Sequence, residues 1–345
     1  MSAVPGKSAL KSRPIGIGSC APESVLTNEG LEAVVETSDE WITTRTGIRS
    51  RHLLGKDGLG ISDIASEAGR RAVEQARVDP ADIDLVLVAT SSPDDLFGDA
   101  PTVAHAVGAT KSVAFDLTAA CSGFLFGMVT ASQFLNSGTY KKCLVVGADA
   151  LSRWVDWDDR NSCILFGDGA GAMVLEAVDG QDDSGVLGFS LHSDGGGHDC
   201  LTLGYNGETR QVGPEHSVTS GSYAKMGMNG REVYKFATRE VPKVLGEALS
   251  NAGMGVEDVD WLLLHQANIR IMEAVASRLG LPMEKVIANL SEYGNTSAAS
   301  IPLALDEAVR AGKVKPGDVV ACAGFGAGLS WGAAIIRWGG SPVST

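Results

Sequence analysis

The chain has 345 residues, 44% of them hydrophobic and 20% charged, and carries a formal charge of −14 at pH 7. That length supports two domain-sized units with full cores. The composition excludes disorder, and no apolar run reaches the roughly 20 residues of a membrane-spanning helix. The acidic balance excludes nucleic acid as a general partner, because phosphate recognition needs a basic field; an anionic ligand has to be met by a local basic cluster.

Residues 1–14 read as a flexible N-terminal segment. The stretch from Met1 to Arg13 is acid-free and contains Ser and Lys, the composition of a transit-peptide stub, though too short to assign. Trp41 and Arg45 then fall four apart on one helical face, followed by Arg49, Arg51 and His52, and no acid intervenes between Glu40 and Asp57. This is either an anion site or a solvated basic face. Arg71 to Ala89 reads as helix, turn and buried strand.

The segment Ala114-Phe-Asp-Leu-Thr-Ala-Ala-Cys-Ser-Gly-Phe124 places Cys121 between strand-like residues 112–117 and an uncharged helical pattern over 122–137. A thiol at a helix mouth meets unpaired N–H groups and the positive end of the dipole, which favour the thiolate. A buried structural cysteine is the alternative. A buried strand from Cys143 to Val146 and the glycine-rich Phe166–Met173 follow.

In the second half, Arg231, Lys235 and Arg239 recur on one helical face, upstream of a possible kink at Pro242. Gly246 to Leu264 repeats the helix–turn–strand reading of Arg71 to Ala89, with Asp260 matching Asp84. His265 stands at the carboxyl end of that strand, where open α/β sheets place ligands. Val286–Ser291 matches Val113–Thr118, and Asn295 sits on a tight turn at the start of a helix over 296–311. Gly138 and Gly312 end the matched helices, a strand follows each, and Phe325–Gly332 closes the second half as Phe166–Met173 closes the first.

So long a period is no solenoid. It reads as two fused copies of one α/β unit, residues 15–185 and 186–345, with layered sheets around central helices and a pseudo-twofold relation. The small residues Gly123, Gly127 and Ser297-Ala-Ala-Ser300 let the two matched helices pack closely, and the symmetry sets Cys121 opposite the Gly294-Asn295 turn. Taken singly, His265 reads as a satisfied core histidine and Asn295 as a helix cap. Taken together, Cys, His and Asn each occupy a strand-to-helix turn of a matched half.

These residues, with Thr37–Arg49, Phe166–Gly171, His265-Gln-Ala-Asn-Ile-Arg270 and Tyr293-Gly-Asn-Thr-Ser-Ala298, resemble the β-ketoacyl-acyl-carrier-protein synthase III family over roughly residues 15–338. Ser92–Gly98, Asp156–Arg160 and Met228–Tyr234 resemble its plant and cyanobacterial branch. The resemblance implies the thiolase-like α/β fold and a decarboxylating condensation of acyl-CoA, acetyl-CoA by expectation, with malonyl-acyl carrier protein. It implies a catalytic Cys121–His265–Asn295 triad in which Cys121 carries the acyl group, with an oxyanion hole from the N–H groups of Cys121 and Gly326. Enolate formation by loss of carbon dioxide needs donors, which a neutral His and an Asn amide supply.

By the same resemblance Trp41 and Arg160 stack on the CoA adenine and Arg45 lies near its phosphates. Arg231, Lys235, Arg239 and Gln266-Ala267-Asn268-Ile269-Arg270 are expected to dock the acidic carrier. Phe166, Phe325 and Phe97 are expected at the acyl pocket, with the Phe97 loop reaching a neighbouring subunit's pocket in a homodimer. No cofactor, metal, nucleic acid or membrane is expected. The six cysteines contain no CxxC pair, which fits a reducing compartment, bacterial cytoplasm or plastid stroma.

Three rivals are weaker. Papain-like hydrolases share the Cys, His, Asn order but have a different cysteine context. Thiolases need a second cysteine in the C-terminal glycine-rich loop, where this chain has Phe325-Gly-Ala-Gly328 with Cys322 upstream. A non-catalytic scaffold has no need for all three residues. His192, His198 and Cys200 lack metal-ligand spacing, and Gly324, Gly326 and Gly328 lack the acidic residue of a dinucleotide fingerprint.

Overall fold

The structure, a computed structural model, describes residues 10–55 and 58–341. Strands of the first half form a five-stranded sheet in the order Leu10–Cys20, Gly169–Asp179, Lys142–Asp149, Leu85–Ala89 and Val113–Leu117. Strands of the second half form another, in the order Gly185–Ser193, Ser330–Arg337, Val319–Gly326, Trp261–Leu264 and Val286–Ile287. In each, the first two neighbour pairs are antiparallel and the last two parallel. The sequence repeat is therefore a repeat of topology, strand for strand.

The matched aspartates show why. The Asp84 N–H donates to Lys142 O at 2.9 Å while its carboxylate accepts from the Lys142 N–H at 3.0 Å. Asp260 makes the same double clamp on Val319, at 3.0 and 2.9 Å. Each fixes the start of a central strand before the ladder begins. The matched Gly138 and Gly312 take φ of 74° and 68°, the left-handed conformation that ends a helix cheaply only at glycine.

Alternation along the central strands gives both sheets two buried faces. Leu85, Leu87, Cys143, Val145, Leu263, Val320 and Cys322 point into one shared core, which also takes Phe124, Leu125 and Met128 of the helix Gly123–Asn136 and Ile301, Ala304 and Leu305 of the helix Ser300–Arg310. Val86, Val88, Leu144 and Val146 turn the other way, onto the helices Ile61–Ala76 and Ala100–Val107. Leu262, Leu264, Ala321 and Ala323 turn onto the helices Gly230–Ala252 and Ile269–Leu279. The order is helices, sheet, two central helices, sheet, helices, and the Gly230–Ala252 helix runs through Pro242.

Two expectations are corrected. Leu10–Pro14 are not a flexible lead-in but the start of the strand Leu10–Cys20, paired with Leu175–Asp179; residues 1–9 lie outside those described. The counterpart of Cys121 is also not the Gly294-Asn295 turn. Ala120 (φ 49°) and Ser297 (φ 51°) are the matched left-handed residues, each opening a single 3-10 turn that leads into a central helix, so Cys121 corresponds to Ala298.

Close packing at this junction depends on glycine. A Cβ at Gly147 would sit 2.3 Å from Ala298 O, a distance no side chain tolerates. We expect Gly147→Ala to destabilise the fold by ~1–3 kcal/mol through overpacking. Gly246, exposed in a helix with nothing within 4 Å of its would-be Cβ, is the control. Gly246→Ala should stabilise by ~0.5–1 kcal/mol. Denaturant melts of the two variants, read against the parent, check both signs.

Candidate active site

The carboxyl ends of strands from both sheets meet at one cavity of about 950 Å³, lined among others by Cys121, His265, Asn295, Phe166, Phe325 and Gly326. Cys121 lies on the turn Ala120–Ser122 at the mouth of the helix Gly123–Asn136, as its sequence context implies, and is 5% exposed. Gly326 ends the strand Val319–Gly326 directly against it, where a Cβ would come within 2.6 Å of the Cys121 nitrogen. Only glycine lets that strand end lie beside the Cys121 N–H.

The thiol's ionisation differs from the expectation. Burial pushes the Cys121 pKa up to about 12, opposed by the Ser297 hydroxyl, which donates to Sγ at 3.3 Å, and reinforced by the nearby Asp149 carboxylate. At that value the resting residue is a thiol. Cys143 and Cys322 are raised to about 12 by burial as well, and Cys322 faces the central core, away from any role as a second active-site cysteine.

His265 continues the ladder past Leu264 by donating its N–H to Ala323 O at 2.8 Å. Its Nδ1 pairs with the Ser300 hydroxyl at 2.7 Å, and its ring meets Phe325 edge-on at 5.4 Å. Burial lowers its pKa to about 3, so it is a neutral imidazole at physiological pH. Asn295 is held by a bridge to the glycine-rich Phe166 segment: its N–H donates to Leu165 O at 2.8 Å, and its carbonyl accepts from the Gly167 N–H at 3.0 Å. Its Oδ1 accepts from the Ser297 N–H at 2.9 Å, which leaves the amide NH2 for the cavity.

Toward the mouth, Ser38 caps the helix Asp39–Thr46, and Arg45 and Arg160 set their guanidinium groups 4.7 and 5.2 Å from the centre of the Trp41 ring. Arg231, Ala267, Asn268 and Arg270 line the same cavity. The segment after His265 is mostly an internal clasp. Asn268 donates to Arg45 O at 3.2 Å, Arg270 to Thr44 O at 2.8 Å, and Ile269 fills the space beside Gly47. Gln266 is 1% exposed and its amide donates to Leu264 O and Ile287 O, so it is an interior residue and not a docking contact.

Lys235 and Arg239 are exposed but pair with Glu232 and Glu240, which trims the basic stripe. Phe97 does not line its own chain's cavity; it stands 97% exposed beside Leu96 at 81%. Among the described residues no cluster of three or more His, Cys, Asp or Glu could hold a metal, and no helix is long and apolar enough to cross a membrane. Sequence reasoning missed Ser297, Ser300 and Asp149. In the sequence the serines stand out only as small packing residues, and Asp149 lies beyond the strand pattern of Cys143–Val146 with nothing to mark it.

The family model described as 3-oxoacyl-[acyl-carrier-protein (ACP)] synthase III matches residues 115–195, and its C-terminal counterpart matches residues 249–338. The beta-ketoacyl-[acyl-carrier-protein] synthase III of Acaryochloris marina is 58% identical over 323 residues, covering 94% of this chain and 96% of the relative. That of Microcystis aeruginosa is 59% identical over 324 residues, with the same coverage. Among solved structures, the 3-oxoacyl-[acyl-carrier-protein] synthase III of Aquifex aeolicus is similar at TM-score 0.86 and 41% identity, over 95% of this chain and 100% of that one. A priming beta-ketosynthase from the R1128 polyketide pathway is similar at TM-score 0.87 and 34% identity, over 99% and 100%.

The ionisation states can be checked directly. With the thiol protonated, the rate of Cys121 alkylation should climb steadily between about pH 7 and 10 without levelling off, because only thiolate reacts. A plateau near pH 7 in the mass-spectrometric time courses would mean the helix mouth wins after all.

Proposed function

The chain belongs to the 3-oxoacyl-[acyl-carrier-protein] synthase III family, in its cyanobacterial branch, and on that premise we propose how its residues divide the family's reaction. The enzyme is an acyltransferase of fatty acid synthesis: it condenses an acyl-CoA primer with malonyl-acyl carrier protein, with loss of carbon dioxide, to give 3-oxoacyl-acyl carrier protein. The observation that carries the assignment of residues is the single cavity where Cys121, His265 and Asn295 converge from both halves.

Cys121 attacks the thioester of the primer, which we take as acetyl-CoA. The N–H groups of Cys121 and Gly326 receive the oxyanion, a reading supported by how closely the two backbones approach. Malonyl-carrier then enters and decarboxylates. The enolate oxygen is met by the Asn295 amide, whose NH2 end is free, and by neutral His265. With the Ser300 hydroxyl donating to Nδ1, the imidazole carries its proton on Nε2 and serves as a donor. A protonated imidazole or an Asp in place of Asn295 would change the charge the site presents to the enolate. No cofactor enters these steps, since acyl-CoA is consumed as a substrate.

Trp41 and Arg160 hold the adenine of CoA, with Arg45 near its phosphates; both cations already stack on the indole, as cation–π pairing favours. Arg231, Lys235, Arg239 and Arg270 receive the carrier, with Ala267, Asn268 and Ile269 at the rim; Arg231 and Arg270 line the cavity, and Lys235 and Arg239 continue the Arg231 face of the same helix in an acidic chain. Phe166 and Phe325 bound the acyl pocket. The exposed Phe97 and Leu96, close in sequence to the half-exposed edge strand with Val113 and Phe115, form the surface for a second subunit of a homodimer. Six free cysteines fit bacterial cytoplasm or plastid stroma.

Intact-mass and peptide analysis after incubation with a panel of acyl-CoA thioesters should find one acylated residue, Cys121, with acetyl-CoA reacting fastest. His265→Ala and Asn295→Ala should still acylate but lose release of carbon dioxide from malonyl-carrier by about 10²-fold or more, the scale of one removed oxyanion donor. Loss of acylation with decarboxylation retained would reverse the assignment of roles.

Charge reversal tests the docking patch. Lys235→Glu with Arg239→Glu should raise KM for malonyl-carrier several-fold and flatten its salt dependence, since rim charges act mainly on association. Acylation by acetyl-CoA should hardly change. An equal loss in both half-reactions would place the stripe at the CoA site.

A further inference from the structure

Ile164, Leu165 and Phe166 form the stretch of cavity wall against which Asn295 is held. Behind that wall runs the short strand Ser50–His52, whose Arg51 is 0% exposed. Arg51 Nη1 donates to Leu26 O at 3.1 Å and to Asn28 Oδ1 at 3.0 Å. Its Nη2 donates to Asn28 Oδ1 at 3.0 Å and to Ile164 O at 2.7 Å, while Nε is buried without a hydrogen-bond partner. None of these acceptors is a carboxylate. Taking a cation out of water without a counter-ion is costly, and an apolar side chain of similar volume would avoid that cost.

What the guanidinium holds leads directly to Asn295. Ile164 O, its shortest contact, precedes Leu165 O, which accepts from the Asn295 N–H at 2.8 Å, and the Gly167 N–H donates to Asn295 O at 3.0 Å. The Arg51 stem lies under the same turn: a Cβ at Gly167 would come within 3.1 Å of Arg51 Cβ, and one at Gly294 within 3.4 Å. Neighbouring residues hold the outer side of that turn. The Arg49 N–H donates to Ser291 O at 2.9 Å, the Ser50 hydroxyl donates to Glu292 O at 2.8 Å, and the His52 ring stacks on Tyr293 at 5.0 Å. Cys121 and His265 take their places from other elements, the turn Ala120–Ser122 for the first and Ala323 O with the Ser300 hydroxyl for the second.

We propose that Arg51, with Ser50 on the outer side of the same turn, positions Asn295: the buried fork fixes the Ile164–Gly167 segment, and the segment fixes where the amide NH2 points. The inference rests on Asn295 being a donor to the enolate. A lysine in place of Arg51 keeps the charge but offers one nitrogen, which cannot serve Leu26, Asn28 and Ile164 in the geometry of a planar fork. Asn28 makes its own donations to Asp39 Oδ1 at 2.8 Å and Ile48 O at 2.7 Å, so the helix Asp39–Thr46 that presents Trp41 and Arg45 stays tethered when the guanidinium is removed. Loss of Arg51 therefore bears on decarboxylation and spares acyl transfer.

Two rates decide it, single-turnover acetylation by acetyl-CoA and carbon dioxide release from malonyl-carrier by the pre-acetylated enzyme. Both are measured in the parent, Arg51→Lys, Asn295→Ala and the double variant, with a thermal melt of each. Arg51→Lys should slow carbon dioxide release by about 10- to 10²-fold, the scale of a misplaced catalytic group. The loss should fall on kcat and not on KM, and acetylation should hardly change. In the Asn295→Ala background the same substitution should cost nothing further, because a residue that acts through Asn295 has nothing left to act on. Additive losses would overturn the proposal, as would parental release by a folded Arg51→Lys or an equal loss in both half-reactions. If Arg51→Lys does not fold, Ser50→Ala, at a residue that is not buried, takes its place in the same cycle. Its release should be slower than the parent's only while Asn295 is present, and an unchanged or additive rate would overturn the proposal. Parental release by Asn295→Ala would overturn the underlying reading of Asn295 itself, a result distinct from these.

Discussion

The site depends on how closely two sheet ends approach each other across the pseudo-twofold junction. Gly147 lets the first sheet come against Ala298 O, and Gly326 lets the second come against the Cys121 nitrogen. Asp149 ties the two together by accepting from Ser91 and Ser92 of one half and Ala298 of the other. A protein interior is packed too densely to absorb even one extra methyl group at such points without a shift. Cys121 lies on one side of this seam and His265 and Asn295 on the other, so the closeness of the seam is what brings the three into one cavity.

Burial is the second consequence of that seam, and it shifts the titratable groups at the depth of the cavity. It keeps His265 neutral and Cys121 protonated, and it makes Asp149 reluctant to stay charged. Moving a thiolate out of water is costly, and burial is the largest influence on the Cys121 thiol. In so enclosed a pocket an oxyanion or an enolate would have to be met by fixed N–H donors instead of by mobile water.

The wall between the cavity and the outside is also shared work. Asn268, Ile269 and Arg270 bind the end of the helix that presents Trp41 and Arg45, so the strand end carrying His265 and the helix carrying the indole are parts of one clasp. The basic stripe of the helix Gly230–Ala252 acts against a strongly acidic chain, and Glu232 and Glu240 reduce the local field of Lys235 and Arg239 further.

Sequence alone settled the duplication, because Asp84 and Asp260 perform one backbone task and Gly138 and Gly312 another, and such tasks admit few residue types. It also singled out Cys121, His265 and Asn295: Cys121 and His265 follow a strand directly, and Asn295 follows the strand Val286–Ile287 after one short helix, Leu290–Tyr293. Tertiary structure alone decided the rest. Ser297 and Ser300 look like any small residues of a packed helix start until Sγ and an imidazole nitrogen are brought to them from other parts of the chain. Gln266 has the polarity of a surface residue, yet it is buried against two backbone carbonyls that only the second sheet supplies. The thiol's proton was likewise beyond pattern reading: helix position is local and visible in sequence, whereas desolvation and the charge of Asp149 come from segments that meet only when the two halves close.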